Sequence, residues 1–117
     1  MSQKLKRETH WLRRAMVRFS DQGYRIFRNN VGFDKQRKVK YGLHNGSADL
    51  IGWRPYTVRP GDVGRTLALF VAIEVKRDDN VPTDEQQQFL AAVAAAGGEA
   101  WVTTDDEDVL FEGGASA

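Results

Sequence analysis

The stretch Thr66-Leu-Ala-Leu-Phe-Val-Ala-Ile-Glu-Val-Lys76 decides how this chain folds. It is apolar almost throughout until it reaches one glutamate and one lysine. A near-continuous apolar run of this length predicts a central strand buried on both faces. Downstream, the spacing predicts a helix over Thr83 to Ala96, closed by Gly97-Gly98 in the C-cap position. Glu99-Ala-Trp-Val-Thr-Thr104 then reads as another strand. Strand, helix and strand form a crossover, expected to be parallel and right-handed.

Upstream, Ser47-Ala-Asp-Leu-Ile-Gly-Trp53 reads as a strand that feeds the central one. Residues 54–66 lie between them and hold Pro55, Pro60, Gly61 and Gly64, which marks a turn or a long hairpin tip. Tyr24 to Asn30 alternates and reads as a strand. Leu5, Leu12, Met16 and Phe19 recur at helical spacing, so residues 3–20 read as an amphipathic helix, with Ser2 as N-cap and Gln22-Gly23 as its stop. Gly32 to Gly46 is a polar, basic loop. Asp105 to Leu110 is a short helix or a final strand. The order α-β-β-β-α-β predicts a single-domain α/β fold, with a mixed central sheet of about four strands flanked by helices. The domain spans residues 1–112, and 113–117 form a flexible tail.

The length of 117 residues suits one domain with one core. Hydrophobic residues make up 41% and charged residues 28%, an ordinary globular balance that argues against disorder. No apolar run approaches the ~18 residues of a membrane span. The basic N-terminus, Met1 to Arg7, is not followed by an apolar signal region. Cysteine is absent, which excludes disulfides and thiolate metal sites and fits a cytoplasmic protein. The net charge of +1 conceals an asymmetry: residues 1–65 carry 15 Lys and Arg against 5 Asp and Glu, whereas 66–117 carry 2 against 11. Such a division suits a phosphate-binding protein with its own carboxylate site, or two solvated faces that complement each other.

Glu74 and Lys76 are two apart on the predicted central strand and so share one face, with Val71, Ile73 and Val75 on the other. An unpaired charge on a buried strand costs several kcal/mol, about 3–5 when one partner of a pair is removed, so both groups need a reason to be there. Asp49 also stands among apolar neighbours. If its strand pairs with the central one, Asp49 approaches Glu74 across about 4.8 Å of strand spacing. Two carboxylates on one sheet face suit a hard divalent cation such as Mg²⁺, which takes oxygen ligands and keeps several waters. Lys76 is then placed to orient or activate a water, or to stabilise charge on a phosphate. The competing structural explanation is an ion pair between Glu74 and Lys76, with Asp49 capping a turn.

Two helix residues bear on this choice. Glu8 lies in the apolar stripe between Leu5 and Leu12, and Gln86 precedes Phe89, Leu90 and Val93 on the face turned to the sheet. Each also has a plain structural role open to it. Thr83-Asp-Glu-Gln86 is a capping box, and Glu8 suits a helix ion pair or an exposed first-turn acid.

Taken together, Arg28-Asn-Asn-Val-Gly32, Gly46-Ser-Ala-Asp-Leu-Ile-Gly52, Ile73-Glu-Val-Lys76 and Thr83-Asp-Glu-Gln86, with Phe89 and Gly97, resemble the VRR-Nuc branch of the PD-(D/E)XK nuclease superfamily. The matching stretches run in the family order and cover nearly the whole chain. Ala48 stands where the superfamily's name has proline. The resemblance implies a Mg²⁺- or Mn²⁺-dependent deoxyribonuclease, an endonuclease acting on branched or duplex DNA in phage replication, recombination or repair. It implies metal ligation by Asp49, Glu74 and the Val75 backbone carbonyl, and catalysis by Lys76. It further implies support of the lysine and substrate by Gln86, and a water-linked acid at Glu8. By analogy with stand-alone members, it implies a homodimer.

Arg28, Lys35, Arg37, Lys38 and Lys40 are suited to gripping DNA phosphates, and Phe33, Tyr41 or His44 to stacking on bases. The bland reading of the same segment is a mobile, solvated loop with an exposed histidine. Competing at the level of the whole chain are a non-catalytic DNA-binding module with this fold and a structural protein with a buried ion-pair network. DNA binding would weaken steeply with salt.

Overall fold

The computed structural model describes residues 3–77, 80–105 and 107–112, with side chains from Thr9 onward. Ser2 and residues 113–117, expected to be a helix cap and a tail, lie outside the described residues. The elements in chain order are α1 (Gln3–Asp21), β1 (Arg25–Arg28), β2 (Gly32–Asp34), β3 (Val39–Tyr41), β4 (Leu50–Trp53), a single 3-10 turn (Pro60–Asp62), β5 (Val71–Val75), α2 (Asp84–Ala95), β6 (Glu99–Thr103) and β7 (Asp108–Leu110). This is a small α/β fold with both parallel and antiparallel pairing, of the restriction-endonuclease-like kind. Its residues group into two compact units, Met1–Arg54 and Pro55–Ala117.

In the first unit, α1 packs on β1. The helix stops where Gln22 and Gly23 turn back on it, their amides donating to the carbonyls of Phe19 and Ser20. The chain then returns with the Tyr24 ring edge-on to Phe19, centroids 5.2 Å apart. β1 pairs antiparallel with β4, Arg28 opposite Leu50, and the Phe27 and Trp53 rings meet at 5.3 Å. The segment read from sequence as a loop, residues 32–46, contains the β2–β3 hairpin, a two-stranded sheet of its own. Its strands are three residues long and carry lysine and aspartate, so period-two alternation never becomes visible.

In the second unit, β5 and β6 pair in parallel, as the crossover requires, and β7 adds antiparallel to β6. The last segment is thus the strand of its two predicted alternatives. Register places Ala72 and Glu74 beside Ala100 and Val102 on one face, and Val71, Ile73 and Val75 beside Glu99, Trp101 and Thr103 on the other. α2 covers the first face. Leu90 and Val93 of the helix and Ala100 of β6 are its fully buried residues, and burying each of the two larger side chains is worth ~1.5–3 kcal/mol.

Both ends of α2 follow the sequence. Thr83 Oγ1 accepts from the Gln86 amide, and Gln86 Oε1 accepts from the Thr83 amide, the reciprocal capping box. At the other end Gly97 takes φ +98°, a left-handed conformation that costs glycine least. It lets the amides of Gly98 and Gly97 donate to Val93 and Ala94, a Schellman closure.

The burial expected of β5 is corrected. β5 ends the β5-β6-β7 sheet, and Val71, Ile73 and Val75 are 47%, 60% and 67% exposed. Helix α2 occupies one face only, and an apolar run cannot by itself tell a central strand from an end strand. The strands pair as β1-β4, β2-β3 and β5-β6-β7, the last of these a mixed sheet. The segment 54–66 is a turn, as its prolines and glycines require, and it is internally tied. Asp62 accepts from the Arg59 amide, the Tyr56 hydroxyl and the Arg65 guanidinium, the last at 2.7 Å. These donors, the Arg59 amide foremost, then Arg65 and Tyr56, hold the Asp62 carboxyl below its ordinary value, against a smaller opposing effect of desolvation.

Candidate active site

Glu74 and Lys76 stand side by side near the C-terminal end of β5, as alternation demands. Lys76 Nζ lies 3.4 Å from Glu74 Oε1, and the two side chains are 17% and 27% exposed, half-sheltered beside the helix. The Lys76 amide donates to Thr103, and the Glu99 amide donates to Phe70. The even-numbered residues of β5 therefore spend their backbone groups on β6, and the Val75 carbonyl points to the opposite strand edge.

Between β5 and α2 lies a cleft of about 250 Å³, lined by Ala72, Ile73, Glu74, Glu85, Gln86, Phe89 and Leu90. Glu74 and Gln86, singled out separately from sequence, thus border one space. Gln86 fills the capping role anticipated for it and also lines the cleft. Its carbonyl oxygen caps the helix, and its amide nitrogen has no protein acceptor among the described residues. Glu85 was missed. As an acid in the first turn of α2 it reads as a partner of the helix dipole, and only the packing of α2 on β5 turns it to the cleft.

Asp49 belongs to the first unit, immediately before β4, with its side chain exposed. Its position is set by Asn29. The Asn29 amide donates to the Asp49 carbonyl at 2.9 Å. Asn29 Nδ2 donates to Ser47 Oγ and to the Ala48 carbonyl, both at 2.8 Å, and Oδ1 accepts from the Leu43 amide at 3.2 Å. One side chain thus ties down the loop leading to Asp49. Sequence reading quoted Asn29 within a motif but gave it no role, because its partners are 14–19 residues away. Arg28 is exposed at the end of β1, one residue from this hub. Lys35, Arg37 and Lys38 form the tip of the β2–β3 hairpin, and Lys40 lies on β3 opposite Phe33. His44 is an exposed turn residue whose Nδ1 lies 2.9 Å from the Asn45 carbonyl. The backbone of Glu8 lies in α1, and its side chain is outside the described ones.

Among the described residues no three or more His, Asp or Glu side chains gather as a ready-made metal cage. The donor set nevertheless suits Mg²⁺ or Mn²⁺. Glu74 is half-sheltered and borders the cleft, and such ions need only one or two protein carboxylates because water completes their shell.

The VRR-NUC domain model matches residues 4–105, so the chain belongs to the VRR-NUC family, a branch of the PD-(D/E)XK nucleases. Its function is accordingly of the nuclease type, with DNA as the partner. No curated protein and no solved structure matches the chain significantly. No helix among the described residues is long and apolar enough to cross a membrane.

Proposed function

We propose that the protein is a divalent-metal-dependent endodeoxyribonuclease whose chemistry centres on Glu74 and Lys76. The observation that carries this reading is the pair itself. A carboxylate and an ammonium 3.4 Å apart sit at the C-terminal end of β5, with Glu74 and Gln86 bordering one cleft. A half-sheltered ion pair adds little net stability, because desolvation offsets much of the attraction, so stability alone is a weak reason for its presence.

Asp49, Glu74 and the Val75 carbonyl would hold the cation, with Glu8 as a water-linked acid. When bound, Mg²⁺ or Mn²⁺ supplies charge neutralisation at the scissile phosphate and lowers the pKa of a water. The chain's own groups do the rest. Lys76 donates to a phosphate oxygen on which negative charge builds as the phosphorus–oxygen bond lengthens. Glu74 orients Lys76 through their 3.4 Å ion pair. Gln86, fixed by its cap, turns its amide nitrogen toward the substrate or a water. Arg28 and the hairpin cations Lys35, Arg37, Lys38 and Lys40 hold flanking phosphates. The domain comprises residues 1–112, and a homodimer would set two centres on one branched or duplex substrate.

The test is cleavage of labelled duplex, single-stranded, flap and four-way-junction DNA with Mg²⁺, Mn²⁺ or EDTA. Cutting that requires the metal is expected. Salt-sensitive binding with no cutting of any substrate would replace this reading with a non-catalytic DNA-binding module. A light-scattering mass staying near 13.2 kDa with and without DNA would remove the dimer.

A further inference from the structure

We propose that the β2–β3 hairpin is a ribbon that enters the major groove of B-form DNA, making the double helix the preferred partner over single strands and over RNA. The proposal takes from the nuclease reading only that the partner is a nucleic acid; the hairpin's own geometry supplies the rest.

β2 and β3 form a two-stranded sheet to which no third strand is added among the described residues. The connecting residues are Lys35, Gln36, Arg37 and Lys38, all exposed. Their turn is set from within. Asp34 Oδ1 accepts from the amides of Gln36 and Arg37 at 3.0 and 3.2 Å, and Lys38 closes the turn in the left-handed region at φ 56°. The one acid of the hairpin is thus occupied with backbone, and four cations remain on a ribbon of ten residues, 32–41. The ion pair from Arg37 to Asp34 is long, 3.9 Å, and Arg37 is 84% exposed, so that guanidinium is readily released to a phosphate.

Shape selects the partner. Paired strands lie about 4.8 Å apart, and the major groove of B-DNA, about 12 Å wide, admits a two-stranded ribbon. The minor groove, about 6 Å wide, does not, and in A-form RNA the major groove is deep and narrow. Single strands are gripped by successive aromatic platforms. The hairpin offers no such succession. Phe33, 56% exposed, lies on the face it shares with Lys40, whereas Tyr41, 51% exposed, lies over Gly32 on the other face, so the two rings cannot stack on successive bases.

The test measures binding by fluorescence anisotropy in EDTA, where no cleavage intervenes. The probes are a DNA duplex, its single strand and an RNA duplex of the same sequence, each titrated over a range of salt. Wild type is expected to favour the DNA duplex. In Lys35→Ala/Arg37→Ala/Lys38→Gly, duplex affinity should fall roughly tenfold or more and the slope of log K against log salt should flatten by about 2–3. Single-strand and RNA binding should change little. Lys40→Ala, on the flank, should move the same way by less. An equal loss on all three probes, an unaltered duplex affinity, or a wild type that prefers RNA or single strands would overturn the proposal. Each of these outcomes leaves the cleavage test of Glu74 and Lys76 standing, and a failure to cleave leaves this one standing.

Discussion

The two compact units solve opposite problems. Met1–Arg54 holds most of the chain's positive charge, displays it on an exposed hairpin, and contains no fully buried hydrophobic side chain among those described. Pro55–Ala117 is acidic and contains the three buried hydrophobic residues found among those described, Leu90, Val93 and Ala100, with Glu74 and Gln86 bordering the cleft beside that packing. Phosphate binding tolerates mobile, solvated cations because its strength comes largely from counterion release. Hydrolysis requires groups held in fixed positions, which packing and reciprocal hydrogen bonds supply. Asp49 is the exception within the basic unit. It is exposed, and the Asn29 network does for its loop what α2 does for Glu74.

This contrast can be sharpened by substitution. The largest effect is expected at Glu74→Gln, which keeps the shape and removes the charge. Cleavage should fall by about 10²–10³ while DNA affinity in EDTA is kept or rises. An unchanged cleavage rate would move the chemistry away from β5. Next is Leu90→Ala, expected to cost ~2–5 kcal/mol in a denaturant titration, because Leu90 is 2% exposed in the packing of α2 on the sheet. Removing an equally apolar side chain from the exposed face, as in Ile73→Ala, should cost much less. If Ile73→Ala costs as much as Leu90→Ala, that face is covered in solution.

Asn29→Ala comes third. It deletes three hydrogen bonds around the Asp49 loop, so cleavage should drop roughly tenfold or more with phosphate binding intact. A parallel loss of DNA affinity in EDTA would mean the loop serves binding and not the centre. The smallest effect concerns Asp62. Its carboxyl is held below the ordinary value of 3.8, so its contribution is present above that pH and is lost as pH falls through the lower folded-state value. The melting-temperature gap between wild type and Asp62→Asn should therefore be constant from about pH 7 to pH 5 and close below about pH 4. A gap that widens on acidification would contradict the hydrogen-bond pattern of that turn.

What could be read in the sequence follows the same division. Thr83, Gln86 and Gly97 announced both ends of α2, because caps are local chemistry. The Glu74-X-Lys76 spacing placed both charges on one face, because strand alternation is fixed by the backbone. The β2–β3 hairpin stayed hidden, since three-residue strands carrying lysines look like loop. β5 looked central, and whether an apolar strand is covered on one face or both depends on what packs there. Asn29 and Glu85 were illegible for the same reason: the partners of Asn29 and the strand that forms the cleft beside Glu85 are distant in the chain and are chosen by the fold.

The most direct measurement of the central claim compares wild type with Lys76→Ala in three assays on one preparation: thermal melting, DNA binding in EDTA, and Mg²⁺- or Mn²⁺-dependent cleavage. If Lys76 is catalytic, binding persists and cleavage is abolished while the protein still melts cooperatively, since a half-sheltered pair contributes little net stability. If Lys76 only neutralises Glu74, the substitution will leave metal-dependent cleavage close to wild type, and the proposed active centre is wrong.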